Sequence, residues 1–147
     1  MQGIALLRLQ QRQVAIVRLL HADLGRHQAD SLGDTVHVAA GSYRETLVID
    51  KPLSLLGPQA GVPAPGRSAE EAVLDFTGAA GGVVIRSGDV ILDGLEIAGD
   101  GATGYGVYVA AGGDDLTAIE IANNRVHGMA RPKTGGPPQS WGVLVNA

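Results

Sequence analysis

The chain contains no cysteine, two methionines and five aromatic residues: three Tyr, one Phe and one Trp. Without cysteine there is no disulfide framework and no thiolate metal centre. The four histidines stand at positions 21, 27, 37 and 127 with no paired spacing such as His-x-x-x-His, so no zinc motif is present. A copper site would need clustered Met, His or Cys, which the sequence lacks. No apolar run approaches the roughly 20 residues that a membrane-spanning helix requires. The apolar block of residues 4–7 is too short for a signal peptide, and Arg8, Arg12 and Arg18 follow it closely. Positive charge is also scarce. Residues 1–33 carry four Arg against two Asp and the remainder seven basic against thirteen acidic groups, for a formal net charge of −4. With no clustered basic face, a nucleic-acid partner is not expected.

Glycine is abundant instead, at 22 of 147 residues, while hydrophobic residues make up 45% and charged residues 18%. That balance excludes simple disorder, so the glycines punctuate an ordered fold whose core is not built from aromatic rings. The length suits one domain of ordinary size.

Two regions differ in pattern. In residues 1–32, Leu6, Leu9, Val14, Val17, Leu20 and Leu24 recur near helical spacing with Gln and Arg between them, which predicts an amphipathic helical cap. From Gly33 to Ala147 the language is of strands and turns: short β-branched runs separated by Gly, Asp and Asn. These runs sort into three columns. The first holds Val36-His37-Val38, Val73-Leu74-Asp75, Leu95-Glu96-Ile97 and Arg125-Val126-His127. The second holds Leu47-Val48-Ile49, Val83-Val84-Ile85, Val107-Tyr108-Val109 and Val143-Leu144-Val145. The third holds Leu53-Ser54-Leu55, Val90-Ile91-Leu92 and Ile119-Glu120-Ile121. Their order repeats, with Pro- and Gly-rich insertions at 57–72 and 128–141. Repeats of this size, with three short strands each, stack into a parallel solenoid of three walls and about four rungs. The corners Asp93-Gly94 and Asn123-Asn124 carry residues that tolerate positive φ, and the Asn side chains are expected to bond between rungs.

The stretch Gly33-Asp34-Thr35-Val36, Gly41-Ser42-Tyr43-Arg44-Glu45, Leu47, Ile49, Lys51-Pro52-Leu53 and Leu55-Leu56-Gly57 resembles the opening rung of the right-handed parallel β-helix, or pectin-lyase-like, superfamily. The likeness covers about residues 33–147. It implies an all-β, right-handed, three-walled helix from a bacterial exported or surface protein, extracellular or periplasmic. The final strand brings no capping segment with it, which suggests an incomplete solenoid and self-association through its open end. In the enzymes of this superfamily, outward Asp, Arg or Lys on one wall neutralise a uronate and handle its protons.

Here the corresponding wall is the second column. Alternation along a strand turns Leu47, Ile49, Val83, Ile85, Val107, Val109, Val143 and Val145 inward, and Asp50 and Arg86 outward. The outward stripe is then Val48, Val84, Tyr108 and Leu144, which supplies no acid or base. No catalytic residue is assigned. Three readings of the stripe stay open: it is covered by insertions 58–72 and 129–141, it contacts another chain, or it is a sugar platform. In the last, Tyr108 stacks on pyranose faces with Tyr105 and Trp141, and Arg86 is the adjoining cation. The expected function is therefore a non-catalytic structural or carbohydrate-binding module. The alternative is the N-terminal part of a uronate-polymer lyase, epimerase or esterase whose catalytic rungs lie elsewhere.

Other motifs are weaker. Asp100 and the Asp114-Asp115 pair, in Gly-rich loops, are the candidate calcium ligands. Gly99-Asp100-Gly101-Ala102-Thr103-Gly104 imitates a phosphate loop, but a strand rather than a helix is predicted after it, so the anion-binding helix terminus is missing. Glu96 and Arg125, and likewise Asp50 and Arg86, are expected to pair between neighbouring rungs.

Overall fold

A computed structural model of the chain describes residues 4–7, 33–45, 47–113, 115–130 and 140–146. The first strand, β1 (Ile4–Leu7), pairs in parallel with β2 (Asp34–Val38). Four rungs follow. The first consists of β2, β3 (Gly41–Tyr43) and β4 (Val48–Ile49). The second has β5 (Leu53–Leu56), β6 (Ala72–Asp75) and β7 (Val83–Ile85), and the third has β8 (Val90–Asp93), β9 (Glu96–Thr103) and β10 (Tyr105–Ala110). The fourth has β11 (Ile119–Ala122), β12 (Arg125–Met129) and β13 (Trp141–Asn146). Like strands stack into three parallel sheets: β3-β6-β9-β12 is the first wall, β4-β7-β10-β13 the second and β1-β2-β5-β8-β11 the third. The described chain is thus an all-β, three-walled parallel solenoid.

Two column assignments need correction. Residues 36–38 belong to the third wall, where Val36 pairs with Leu55; the first wall begins instead at Gly41–Tyr43, paired with β6. The repeat in the first wall is also one residue longer than expected, because Val73 faces Glu96 and not Leu95. Leu95 lies before β9, just after the turn at Gly94 (φ +70). Since a slip of one residue exchanges the faces of a strand, the register Leu74↔Ile97 is the one that buries both side chains. The expected cap over residues 1–32 lies outside the described residues, apart from the strand β1.

The interior is a column of Val, Leu and Ile. Leu53, Leu55, Val83, Ile85, Val90, Leu92, Leu95, Ile97 and Val107 are almost wholly inaccessible to solvent. Phe76, the chain's one phenylalanine, is buried at the corner after β6, and its N–H donates to Ala98 O at 2.8 Å. Tyr43 is also buried, with its hydroxyl bonded to Ala39 O at 2.8 Å.

Corners tie the rungs together as expected. Asn123 adopts φ +50, and its amide donates to Asp93 Oδ1 at 2.9 Å. Asn124 Nδ2 donates to Leu92 O at 2.8 Å, and Asn124 Oδ1 accepts from Leu95 N–H at 2.9 Å. One amide thereby satisfies two main-chain groups of the preceding rung, which would otherwise be costly to leave unpaired. Gly82 stands so close to its counterpart one rung higher that a Cβ would overlap Gly106 O, so the backbones there approach in a way that only glycine permits.

Candidate functional site

The outer face of the second wall follows from strand register. Val107 and Val109 pair with Val83 and Ile85 on one side and with Val143 and Val145 on the other. Residues in register on parallel strands share a face, so these positions form the interior rows. Leu47, Ile49, Val83, Ile85, Val107 and Val109 are buried as expected. Val143 and Val145 are 43% and 64% exposed, in contrast to the enclosure predicted for them, because they lie in the last described rung.

The intervening row, Val48↔Val84↔Tyr108↔Leu144, faces outward, but it is not uniformly open. Val48 is 39% exposed and Tyr108 and Leu144 half-buried, whereas Val84, between Val48 and Tyr108 in the ladder, is buried. The insertion at 57–72 does not cover this stripe. Its Gly57 and Gly61 bond to Asp93 and its Arg67 bonds to Asn123, which places it at the corner between the third and first walls. Residues 131–139 of the second insertion lie outside the described residues.

Tyr105 and Trp141 open β10 and β13 at the leading edge of the second wall, with Tyr108 farther along β10. A Cβ on Gly106 would meet the Val126 and Ile97 side chains, so the alternation of Val107 and Val109 breaks there and Tyr105 does not share their inward face. The Tyr105 and Tyr108 rings have centroids 5.4 Å apart and are tilted by 51°. Tyr105 lies over Gly81, where a Cβ would overlap its ring. Trp141 is the direct ladder partner of Tyr105 and is 40% exposed. At the far edge Asn146 donates to Tyr108 OH at 3.3 Å, a contact that the sequence reading did not anticipate. Arg86 and Asp50 are both exposed there, after β7 and β4. Arg86 N–H donates to Ile49 O at 2.7 Å, yet the two side chains form no ion pair, contrary to expectation. The result is an apolar and aromatic strip with polar groups along one side.

The Glu96–Arg125 pair also needs correction. The two are ladder partners, but Glu96 Oε1 is 2.8 Å from His127 Nε2, the diagonal neighbour on the same face. Arg125 turns instead to the insertion, where Nη2 donates to Arg67 O at 3.0 Å and Nη1 lies 3.6 Å from Glu71 Oε1.

Asp100 is committed to the backbone. Its carboxylate accepts from Gly78 N–H at 2.8 Å, Ala102 N–H at 3.0 Å and the Thr103 hydroxyl at 3.4 Å. Hydrogen bonds from Ala102 and then Gly78 hold its pKa below the ordinary value. Asp114 lies outside the described residues, and among them no three His, Asp or Glu side chains converge as a metal site. The run 99–104 ends β9 and leads directly into β10, without the helix a phosphate loop needs. No described helix is long and apolar enough to cross a membrane.

No protein-family model, curated protein or solved structure matches this chain. Strand register and side-chain geometry therefore carry the functional argument.

Proposed function

We propose that the chain is a non-catalytic module of a right-handed, pectin-lyase-like β-helix, bacterial and extracellular or periplasmic, that binds polysaccharide on the outer face of its second wall. The observation carrying the reading is the grouping of half-buried Tyr105 and Tyr108 with exposed Trp141 in a strip edged by Asn146 and Arg86. Aromatic faces offer apolar area to the C–H surface of a pyranose, and polar groups beside them bond to its hydroxyls. The right hand follows from the strong preference of parallel β crossovers for that sense, and the superfamily from the resemblance of the first rung.

Affinity electrophoresis in gels containing polygalacturonate, alginate or hydroxyethylcellulose tests the reading. Retardation in at least one gel that is reduced by Tyr108→Ala, with an unchanged circular dichroism spectrum, is expected. Equal mobility of wild type and variant in every gel would contradict it.

The alternative, part of a uronate-active enzyme, draws on Arg86, an exposed cation beside the strip. It requires release of unsaturated or altered uronate from polygalacturonate or alginate, abolished by Arg86→Ala. Such turnover would replace the non-catalytic reading.

A further inference from the structure

In a solenoid each rung ordinarily touches only its neighbours. Residues 57–71, the insertion between β5 and β6, depart from that rule. They cross the corner where the third wall turns into the first, and they bond to two further rungs. On the third rung, Gly57 N–H donates to Asp93 O at 2.8 Å and Gly61 N–H reaches both Asp93 carboxylate oxygens at 3.2 and 3.1 Å. Gly94 lies so close beneath that a Cβ would overlap the Ala60 nitrogen. On the fourth rung, the Arg67 guanidinium donates to Asn123 O, and Arg125 Nη2 returns a bond to Arg67 O at 3.0 Å.

Arg67 is central to this arrangement. Its side chain is wholly buried; Nη1 also donates to Val62 O at 3.3 Å, and Nε lies 3.0 Å from Glu71 Oε1 without hydrogen-bond alignment. Arg67 Nη2 and Glu71 Oε2 are buried without a hydrogen-bond partner. Burying such a pair carries a desolvation cost that its own attraction does not reliably offset. What the geometry provides in exchange is a charge-assisted bond from the second rung's insertion to the fourth rung's corner.

We infer that residues 57–71 form a clamp, fastened by Arg67, that holds the corner of the fourth rung and sets how readily that rung opens. The inference concerns a different face from the aromatic strip and does not depend on sugar binding.

Native-state amide hydrogen exchange tests it. Leu95 N–H, bonded to Asn124 Oδ1, and Arg125 N–H, bonded to Leu95 O, report on the clamped corner. Val84 N–H and Arg86 N–H, bonded to Leu47 O and Ile49 O, are the controls on the second wall. Arg67→Met is expected to accelerate exchange about tenfold or more at both reporters, the loss appropriate to a hydrogen bond from a charged group, with the controls within about twofold. Glu71→Gln, which leaves the bond to Asn123 in place, is expected to accelerate the reporters less than about threefold. Should Arg67→Met fail to fold, Arg125→Met, which removes the return bond, carries the same expected local signature. Equal acceleration at all four amides, or none at the reporters, would overturn the clamp.

Discussion

Arg44 Nε lies 2.7 Å from Asp75 Oδ2, joining the end of β3 to the end of β6 across the first two rungs. Hydrogen bonding from Thr77, then from Arg44, lowers the Asp75 carboxyl pKa to about 2. Asp100 is lowered in the same direction by Ala102 and Gly78. Both carboxylates therefore stabilise the folded chain above the ordinary carboxylate range and lose that contribution as pH falls through their depressed values. The urea midpoint should fall steeply between about pH 4 and about pH 2. Asp75→Asn should flatten that fall, and a variant with the wild-type acid dependence would count against this assignment.

Phe76 fills the corner between the first and second walls. Phe76→Ala should cost about 3–5 kcal/mol through lost burial and the cavity left behind, whereas Phe76→Leu should cost under about 1.5 kcal/mol. Denaturant unfolding of the two variants measures the difference; similar losses would show that the site collapses around smaller side chains.

Two glycines separate backbone conformation from close approach. Gly101 has φ +82 with nothing within 4 Å of an added Cβ, and Gly94 has φ +70 with the Ala60 nitrogen in the way. Gly101→Ala should cost about 1–2 kcal/mol, the ordinary penalty of a left-handed alanine. Gly94→Ala should cost more than about 3 kcal/mol, because the 57–71 insertion must also move. Equal costs would mean that the insertion yields freely.

Much of this architecture is legible in the residues themselves. The alternation Leu47/Ile49, Val83/Ile85 and Val107/Val109 places the second wall correctly, because the interior accepts only apolar side chains and the period of a strand is two. The bonds made by Asn123 and Asn124 follow from corner geometry. Other features depend on information that local pattern does not contain. Residues 36–38 look like any strand, and only pairing reveals that they belong with β5. Arg125 and Glu96 do stand opposite each other, yet a sequence alignment of rungs cannot show that an insertion some fifty residues earlier presents Glu71 and Arg67 O to Arg125. A composition nearly devoid of aromatics hides the burial of its one Phe. In the candidate site, the row containing Tyr108 was readable from alternation, and Trp141 could be aligned with Tyr105 by rung. The closeness of Tyr108 to Asn146 and of Tyr105 to Gly81 arises only in the folded chain.

Trp141, the chain's single tryptophan, reports directly on the second-wall aromatic strip proposed as a carbohydrate surface. Its fluorescence should be followed while oligogalacturonates, alginate oligomers and cello-oligosaccharides are titrated into the folded chain. A carbohydrate surface predicts a saturable change in emission with at least one series, abolished or strongly weakened by Tyr108→Ala. No change with any series, or a change that Tyr108→Ala leaves intact, would contradict it.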